Sequence, residues 1–348
     1  MATRMKAAWV ERHGELDAVS VAQRPVPTPP PGHVLVSLRA SGMNHLDLWV
    51  RRGVPGHSFP LPLVLGSDGA GVVVERGLGV DQVELGTEVI ISPGTSCGVC
   101  AACLSGRDPL CRHYRILGEA RDGTCAEFLA VPVANVLPKP KSTTFEEAGS
   151  FVLSSLTAWT MLVDRAQIRA GETVLVLAGG SGVGVMAIQI AKLHGCTVIA
   201  TAGSDQKCAR LRSLGADEVI HHGRESVPDR VKSMTARRGA DVVLEHVGKT
   251  TWVDSVASTA WGGRIVTCGA TTGADVAIDL RTVFFKQLSI LGSTMGSKGT
   301  VARLVDLLGS GRLRSIVSDV LPLARIQDAH RLLEDRSVFG KIVIVPGS

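Results

Sequence analysis

The sequence has 348 residues, of which 45% are hydrophobic and 20% charged, so two globular domains of ordinary size are expected and global disorder is excluded. Its net charge of +5 comes from scattered basic residues without a basic stripe, a pattern that gives no indication of nucleic-acid binding. No secretory h-region and no uninterrupted apolar run of about 18 residues occurs, so the sequence indicates no membrane partner and a cytoplasmic protein.

The N-terminal part of the chain, up to about residue 135, has the pattern of a β-rich domain. Its short apolar or alternating segments, such as GHVLVSLRA and GTEVIISPG, are separated by glycines and prolines. The stretch RPVPTPPPG, residues 24–32, can sustain neither a helix nor a central strand. We therefore expect a surface connection between strands at that point.

From about Gly171 the pattern changes to apolar strands that alternate with helical segments. The strand segments are TVLVLA, TVIATA, EVIHH, ADVVLEHV and GGRIVTCGA. Strands that are apolar on both faces and linked by helices form a parallel sheet with right-handed crossovers, which predicts a doubly wound α/β domain. After SILGS, residues 289–293, two helical segments and a terminal strand form a tail too short to fold alone. We expect this tail to pack on the N-terminal domain.

A glycine-rich turn, GGSGVG, lies between the first of these strands and an amphipathic helix. Its glycines let the backbone turn tightly and approach a diphosphate, whose charge the helix N-terminus stabilises. In the G-x-G-x-x-G pattern the middle glycine is replaced by Ser181. A tight turn without a ligand is the alternative, and the surrounding βαβ pattern favours a nucleotide. The predicted cofactor-binding residues of this turn are Gly179, Gly180, Ser181, Gly182, Val183 and Gly184.

The end of the second strand, TVIATA, indicates which nicotinamide cofactor is bound. An acid at that point would bind the adenosine ribose and repel a 2′-phosphate. No acid occupies the strand end, and Ser204 with Lys207 offers a hydrogen-bond donor and a cation to a phosphate, although Ser204 can also cap the next helix. NADPH is therefore the predicted cofactor, and Asp205 keeps NADH as the alternative. Gly269, in the segment GGRIVTCGA, is also assigned to the cofactor site.

Four of the eight cysteines lie within fifteen residues, with the spacing C-x₂-C-x₂-C-x₇-C. Clustered cysteines in a cytosolic-looking chain favour a metal site over a disulfide scaffold. This spacing can close a tetrahedral four-thiolate zinc site, which is structural because it leaves no open coordination position. An iron–sulfur cluster is the alternative, and the charged flanks without a Pro after the last Cys favour zinc. The predicted ligands are Cys97, Cys100, Cys103 and Cys111.

Motifs along the whole chain together resemble the medium-chain dehydrogenase/reductase superfamily, which contains the zinc-type alcohol dehydrogenases and the quinone reductases. They occur in the family's order and comprise MNHLDLWVRRG, LPLVLGSDGAGVV, the cysteine-rich segment, LTAWTML, GETVLVLAGGSGVG, LGADEVI, SILGS and FGKIVIV. The resemblance implies a GroES-like catalytic domain at residues 1–150 and 298–348, with the structural-zinc lobe at 97–111. It also implies a Rossmann domain at residues 151–297 and an active cleft where the two domains meet. A homodimer or homotetramer, paired through SILGS, is implied as well.

The positions that hold the catalytic zinc in alcohol dehydrogenases carry other residues here. The family supplies a Cys from a C-H-x-D motif, a His from a G-H-E motif and usually a Cys ahead of T-x-Y. The matching segments are Asn44-His45-Leu46-Asp47, Gly66-Ser67-Asp68, and Ser154 ahead of Thr157-Ala158-Trp159. Amides and hydroxyls are poor zinc ligands, and Leu46 occupies the position of the hydroxyl in the family's proton relay. The resemblance therefore implies that the catalytic zinc has been lost.

The remaining pattern is similar to that of the zinc-independent quinone and enone reductases, which have an N-x-x-D motif at this point. Hydride transfer to such substrates creates an oxyanion that needs hydrogen-bond donors. Asn44 is a candidate donor to the substrate or the nicotinamide ribose, and a helix cap is its alternative role. His45 would contact the pyrophosphate or relay a proton, and Asp47 would orient neighbouring groups.

Two further site residues come from the same resemblance. Thr157 matches a family position that packs beside the nicotinamide. Lys341, in FGKIV, is either a cation at the cofactor phosphates or a solvated charge at the strand end. Tyr114 is the only tyrosine and follows the cysteine-rich segment, which gives little support for a tyrosine proton donor.

Three functions are consistent with this sequence. The leading one is an NADPH-dependent reductase of quinones or α,β-unsaturated carbonyl compounds, acting on a small-molecule substrate without catalytic zinc. The first alternative is an alcohol dehydrogenase acting on a small alcohol or aldehyde, with a metal held by ligands that the motifs do not reveal. The second alternative is an NADPH-binding protein that has kept the fold and lost catalysis.

Overall fold

The structure, a computed structural model, describes residues 3–347. Its strands are β1 (Arg4–Val10), β2 (Val19–Pro25), β3 (His33–Gly42), β4 (Leu63–Val64), β5 (Asp68–Arg76), β6 (Glu88–Ile91), β7 (Gly94–Thr95), β8 (Arg115–Ile116), β9 (Phe128–Pro132), β10 (Val136–Pro138), β11 (Thr173–Val176), β12 (Thr197–Ala202), β13 (Glu218–His221), β14 (Ala240–Glu245), β15 (Thr259–Thr267), β16 (Ser289–Gly292), β17 (Val317–Pro322) and β18 (Lys341–Val345). Its helices are α1 (His45–Arg52), α2 (Ala101–Leu104), α3 (Phe145–Ala148), α4 (Val152–Trp159), α5 (Gly182–Leu193), α6 (Asp205–Leu214), α7 (Val227–Met234), α8 (Trp252–Ser258), α9 (Leu280–Phe285), α10 (Lys298–Gly309) and α11 (Ile326–Glu334). Within the described range, no helix combines the length and hydropathy that crossing a membrane requires.

The chain folds into two compact units. The first contains the residues up to Leu153 together with those from Gly296 onward, and the second contains Ser154–Met295. The first unit therefore joins the N-terminal part of the sequence to the C-terminal tail, and within it β18 pairs with β3.

The first unit is β-rich. Its larger sheet has the order β10-β6-β5-β3-β18-β17, and β9 also pairs with β3. A smaller sheet has the order β2-β1-β4, which leaves β2 at an edge. Residues 26–32 connect β2 to β3, as the prolines predict, although β2 itself extends to Pro25. An edge strand tolerates that proline because one of its sides makes no ladder hydrogen bonds.

The second unit is built on one parallel sheet. Its order is β13-β12-β11-β14-β15-β16, and every neighbouring pair is parallel. All of β11 and all but the first residue of β12 are buried, as expected for a parallel sheet covered on both faces. The strand order reverses between β11 and β14, which is the switch point where such sheets bind ligands. The predicted fold class, a β-rich domain with a doubly wound α/β domain, is confirmed.

The end of β3 lies between the beginning of β5 and the middle of β18. Gly42, the last residue of β3, pairs with Asp68 of β5 and with Val343 of β18. A Cβ at Gly42 would lie 2.6 Å from the Cα of Ser150, so only glycine fits this close approach. This local geometry positions the polar side chains described next.

Candidate active site

Three buried polar residues, Asn44, Asp68 and Lys341, meet at the end of β3 and are called the Asn44 cluster below. Asn44 precedes α1, Asp68 begins β5 and Lys341 begins β18. The side chains of Lys341 and Asp68 are 3% and 0% exposed and form an ion pair, with Nζ 3.0 Å from Oδ2. Pairing makes the burial of both charges tolerable. Lys341 is thus an internal cation and not a solvated charge at the strand end.

The side-chain amide of Asn44 is fully used inside this cluster. Its Nδ2 donates to the backbone oxygen of Gly42 and to Oδ2 of Asp68, both at 3.1 Å. Its Oδ1 accepts a short hydrogen bond from Nζ of Lys341. Because both amide N–H groups have acceptors within the protein, this arrangement leaves none for a substrate or a ribose. The structure therefore favours an internal role for Asn44 over the donor role that the sequence suggested.

Asp68 connects the cluster to the surrounding backbone. Its Oδ1 accepts the backbone N–H of Leu153 at 2.6 Å. Its carbonyl oxygen accepts hydrogen bonds from the hydroxyls of Ser41 and Thr124, at 3.1 and 2.6 Å. With its other carboxylate oxygen on Asn44 and Lys341, Asp68 fixes the geometry of the whole cluster.

Asp47 lies in the first turn of α1 and holds the beginning of that helix. Its Oδ2 accepts the backbone N–H of Asn44 at 2.8 Å, and its Oδ1 accepts that of Gly66 at 2.9 Å. Burial raises the pKa of Asp47 to about 6, although the two backbone hydrogen bonds and the Lys341 charge act in the opposite direction. Asp47 thus orients the backbone of its neighbours. Its pKa lies close to the physiological range.

His45 is the first residue of α1, and its ring is only partly buried. Burial lowers its pKa, with smaller contributions from the positive charges of Arg336 and Arg52. The imidazole is therefore neutral at pH 7 and makes an edge contact with Trp49, with the ring centroids 6.4 Å apart. A neutral ring can exchange a hydrogen bond with a ligand but supplies no positive charge.

The other family positions for catalytic-zinc ligands also lack metal-binding chemistry. Ser67 is completely buried, and its hydroxyl donates to the backbone oxygen of Leu117 at 2.7 Å. Ser154 and Thr157 are buried residues of α4 within the second unit. At Asn44 the one oxygen that could approach a metal is bonded to an ammonium group. These residues do not fit a catalytic zinc ion.

In the second unit, the glycine-rich turn runs from β11 into α5. A Cβ on Gly184 would lie 2.6 Å from the carbonyl oxygen of Ala178, so this turn requires glycine there. Ser181 caps α5, and its Oγ accepts the N–H of Gly184 at 2.9 Å. The other predicted residues at this turn and at the start of α5 are Gly179, Gly180, Gly182 and Val183. A tight turn into a helix N-terminus at the switch point suits the diphosphate of a dinucleotide.

His246 is a candidate that no sequence motif reveals. It follows β14 directly, and its Nε2 lies 3.2 Å from Oγ of Ser181. Because β14 and β11 are neighbours at the switch point, this contact spans the crevice in which such sheets bind nucleotides. The only available signal was the position of His246 immediately after the fourth predicted strand.

The carboxyl end of β12 carries the residues predicted to distinguish the cofactors. Ser204 caps α6, with its Oγ accepting the N–H of Lys207 at 3.3 Å, and burial lowers the pKa of Lys207. Asp205 forms a bidentate ion pair with Arg224, at 2.8 and 3.0 Å. The acid next to Ser204 is therefore balanced by a cation that the sequence did not single out. Gly269 follows β15 at the same edge of the sheet.

The four clustered thiols of residues 97–111, called the cysteine lobe below, come together in the first unit. Their sulfur atoms all lie within 4.8 Å of one another, with adjacent pairs at 3.6, 3.6 and 3.9 Å. A tetrahedron with Zn–S bonds of about 2.3 Å has S–S edges of about 3.8 Å, so the geometry fits zinc. Backbone N–H groups of Val99 and Cys100 lower the pKa of Cys97 to about 6, which favours the metal-binding thiolate.

The chain matches known proteins over nearly its whole length. Residues 30–141 match the family model described as the alcohol dehydrogenase GroES-like domain, and residues 182–310 match the model described as zinc-binding dehydrogenase. A solved structure described as an NAD-dependent alcohol dehydrogenase has 48% sequence identity and a TM-score of 0.95, covering 99% of this chain and 100% of that chain.

Curated relatives of two kinds are similar to this chain. An alcohol dehydrogenase of Geobacillus stearothermophilus is 30% identical over 343 residues, 98% of each protein. The crotonyl-CoA carboxylase/reductase of Cereibacter sphaeroides is 29% identical over 358 residues, 93% of this chain and 83% of that protein. The chain belongs to the zinc-type alcohol dehydrogenase family of the medium-chain dehydrogenase/reductase superfamily, and it is an NAD(P)-dependent oxidoreductase.

Proposed function

We propose that this oxidoreductase is an NADPH-dependent reductase of quinones or α,β-unsaturated carbonyl compounds that works without a catalytic metal. The observation that carries the proposal is the Asn44 cluster. Its ammonium, carboxylate and amide groups form hydrogen bonds with one another at the position where an alcohol dehydrogenase needs a zinc ligand. Oxidation of an alcohol through a metal-bound alkoxide has no support in this donor set.

Reduction of an activated double bond is the reaction that suits such a site. A conjugated carbonyl accepts a hydride at carbon and needs only hydrogen-bond donors and positive charge near its oxygen. The relative named crotonyl-CoA carboxylase/reductase acts, by its name, on an α,β-unsaturated thioester. That relationship supports the substrate class proposed here.

The relatives named alcohol dehydrogenase favour a second candidate, oxidation of a small alcohol. One panel separates the two: NADPH consumption with quinones, enones and enoyl-CoA esters, and NAD(P)⁺ reduction with alcohols, each with and without a chelator. We expect reduction of conjugated carbonyls or quinones that a brief chelator treatment leaves unchanged. Chelator-sensitive alcohol oxidation would overturn the proposal, and tight NADPH binding without any turnover would indicate a non-catalytic protein.

We also propose that the cofactor is NADPH. Arg224 compensates the charge of Asp205, and Ser204 and Lys207 lie beside it at the end of β12. Removing Arg224 in an Arg224→Ala variant leaves the Asp205 carboxylate to repel a 2′-phosphate. We expect the NADPH dissociation constant to rise about tenfold while that of NADH stays nearly constant, the effect of about one charge-assisted hydrogen bond. A wild-type protein that binds NADH more tightly than NADPH would contradict this assignment.

The cysteine lobe is proposed to hold one structural zinc ion. A closed four-thiolate site stabilises the segment that carries it and has no position for substrate. Metal analysis should give one zinc per chain. Iron in its place would favour the iron–sulfur alternative.

A homo-oligomer is proposed to form through the edge strand β16. Among residues 3–347 no strand pairs with its outer edge, and large apolar side chains lie exposed on it and on the preceding helix α9. These side chains are Ile290 (41% exposed), Phe284 (59%) and Phe285 (62%). Light scattering should show a dimer or tetramer, and Ile290→Lys should shift it toward the monomer because edge strands with a charge resist pairing.

A further inference from the structure

We propose that Glu245 is a positioning residue of the dinucleotide site in the second unit. Its carboxylate binds the segment that follows β14, residues 246–251, called the β14 loop below, and so holds His246 against the glycine-rich turn. This role goes beyond the proposed function, because it concerns binding of the cofactor and applies whichever substrate the enzyme reduces. All of the contacts that support it lie within the second unit.

Glu245 is the last residue of β14 and is completely buried. Its Oε1 accepts the backbone N–H groups of Val247 and Gly248, at 2.7 and 2.9 Å. Its Oε2 accepts the hydroxyls of Thr251 and Ser255, at 2.9 and 2.6 Å. Donors at these distances compensate the carboxylate for the hydration that it loses on burial. In return, the carboxylate fixes both ends of the β14 loop.

The β14 loop is bonded in turn to the segment that follows β15, residues 268–273, called the β15 loop below. The carbonyl oxygen of Val247 accepts the backbone N–H and the hydroxyl of Thr272, both at 2.8 Å. Gly269, which the sequence assigns to the cofactor site, belongs to this second loop. Glu245 therefore holds one loop directly and a second loop through it, both at the carboxyl edge of the parallel sheet.

The β14 loop lies at the switch point, where sheets of this kind bind dinucleotides. His246 is its first residue, with Nε2 3.2 Å from Oγ of Ser181 in the glycine-rich turn. The turn and the loop follow β11 and β14, the neighbouring strands at which the strand order reverses. A loop that already holds its binding conformation loses less affinity to the cost of ordering. Glu245 supplies that order before the cofactor binds.

The main test compares Glu245→Met with Glu245→Gln in the full-length protein. Methionine has a similar length and leaves the N–H groups of Val247 and Gly248 without their acceptor, whereas glutamine keeps an oxygen for them. Fluorescence titration gives the dissociation constants of NADPH and NADH. We expect both constants to rise about tenfold in Glu245→Met, as for a loop that holds its binding conformation about a tenth of the time. In Glu245→Gln they should stay within about threefold of wild type.

Asp241→Leu is the matched control on the same strand. Asp241 lies near the other end of β14, where its Oδ2 accepts the backbone N–H of Thr173 at 2.7 Å. The substitution also takes a carboxylate acceptor from a backbone N–H, but at the amino edge of the sheet. It should lower the thermal midpoint and leave both dissociation constants at wild-type values.

Hydrogen exchange of the free protein tests the β14 loop itself. In Glu245→Met its amides should exchange about tenfold faster than in the wild type, and saturating NADPH should restore much of their protection. The amides of β11 and β14 should keep their protection, which shows that the unit remains folded. Thr251→Val removes only one hydroxyl from the carboxylate, so it serves if Glu245→Met does not fold. We expect it to raise both dissociation constants about threefold.

The outcomes separate positioning from general stability. If neither Glu245→Met nor Thr251→Val weakens the binding of either cofactor, Glu245 has only a structural role. The same conclusion follows if Asp241→Leu weakens binding as much as Glu245→Met does. A rise confined to NADPH would locate the effect at the 2′-phosphate and overturn the proposal. No substrate is present in these measurements, so a panel of quinones and enones without turnover would count against the proposed function alone.

Discussion

The cysteine lobe and the Asn44 cluster lie at the two positions where the resemblance to zinc-type alcohol dehydrogenases leads one to expect metal, and they differ in the chemistry of their side chains. The lobe presents four soft thiols with sulfur–sulfur distances that suit a tetrahedral ion. The Asn44 cluster presents hard groups that already satisfy one another. The comparison teaches that, of these two clusters, only the one with four thiols has a donor set that suits zinc.

The largest effect is expected in the cysteine lobe. In Cys103→Ser the tetrahedral site loses a thiolate, and metal binding in such sites contributes about 10–16 kcal/mol of apparent free energy. We expect the zinc content to fall from one per chain to nearly none and the thermal midpoint to fall with it, as measured by metal analysis and calorimetry. Cys208→Ser is the control, since Cys208 lies in α6 of the second unit and is not one of the four clustered thiols. An unchanged zinc content in Cys103→Ser would show that the cysteine lobe does not bind zinc through these four thiols.

A smaller but still large effect is expected from Asp68→Asn in the Asn44 cluster. The substitution leaves the buried Lys341 ammonium without a counter-charge, and breaking a buried pair costs about 3–5 kcal/mol. Chemical denaturation should show this loss in the free energy of unfolding. The same change in an exposed pair, Asp217→Asn opposite Lys192, should cost less than about 1 kcal/mol. Equal losses at the two sites would mean that burial does not strengthen the cluster.

The two regions also differ in how far the sequence predicts them. The lobe is local: its ligands lie within fifteen residues, so their spacing alone indicates a metal site. In the Asn44 cluster, Lys341 is 297 positions from Asn44 and Asp68 is 24 positions from it, and only the pairing of β3 with β5 and β18 joins them. The sequence predicts that the family's catalytic-zinc ligands are absent from these positions, but it does not predict which side chains contact one another there.

The same distinction holds in the second unit. Strand and helix patterns predict the doubly wound sheet because apolar periodicity is a local property. Pairing of Asp205 with Arg224 and of Ser181 with His246 depends on loops that follow different strands. Side-chain partners of this kind are set by the tertiary structure, so residue patterns alone do not reveal them.

An intermediate effect is expected from the ionisation of Asp47. The pKa of this carboxyl is about 6 in the folded protein and 3.8 in the reference state, so the folded protein binds its proton more tightly. Stability from this group is therefore fully present at low pH and is lost as the pH rises from about 4 to about 6, by about 3 kcal/mol at most. Asp47→Asn should remove this pH dependence, measured as the difference in unfolding free energy between the two proteins. Identical pH profiles would show that Asp47 ionises normally.

The smallest effect is expected at Ser67, which sharpens the contrast with Cys103. Ser67 matches a metal-ligand position of the family, yet its hydroxyl is bonded to the carbonyl oxygen of Leu117 at 2.7 Å. Ser67→Ala removes one buried hydrogen bond and should cost about 1 kcal/mol of unfolding free energy. Zinc content and kcat should stay at wild-type values, because the residue holds a backbone carbonyl and no metal. A fall in zinc content or in kcat after this single change would show that a metal is bound at the position of Ser67. A small loss of stability alone is the result expected if no metal binds there.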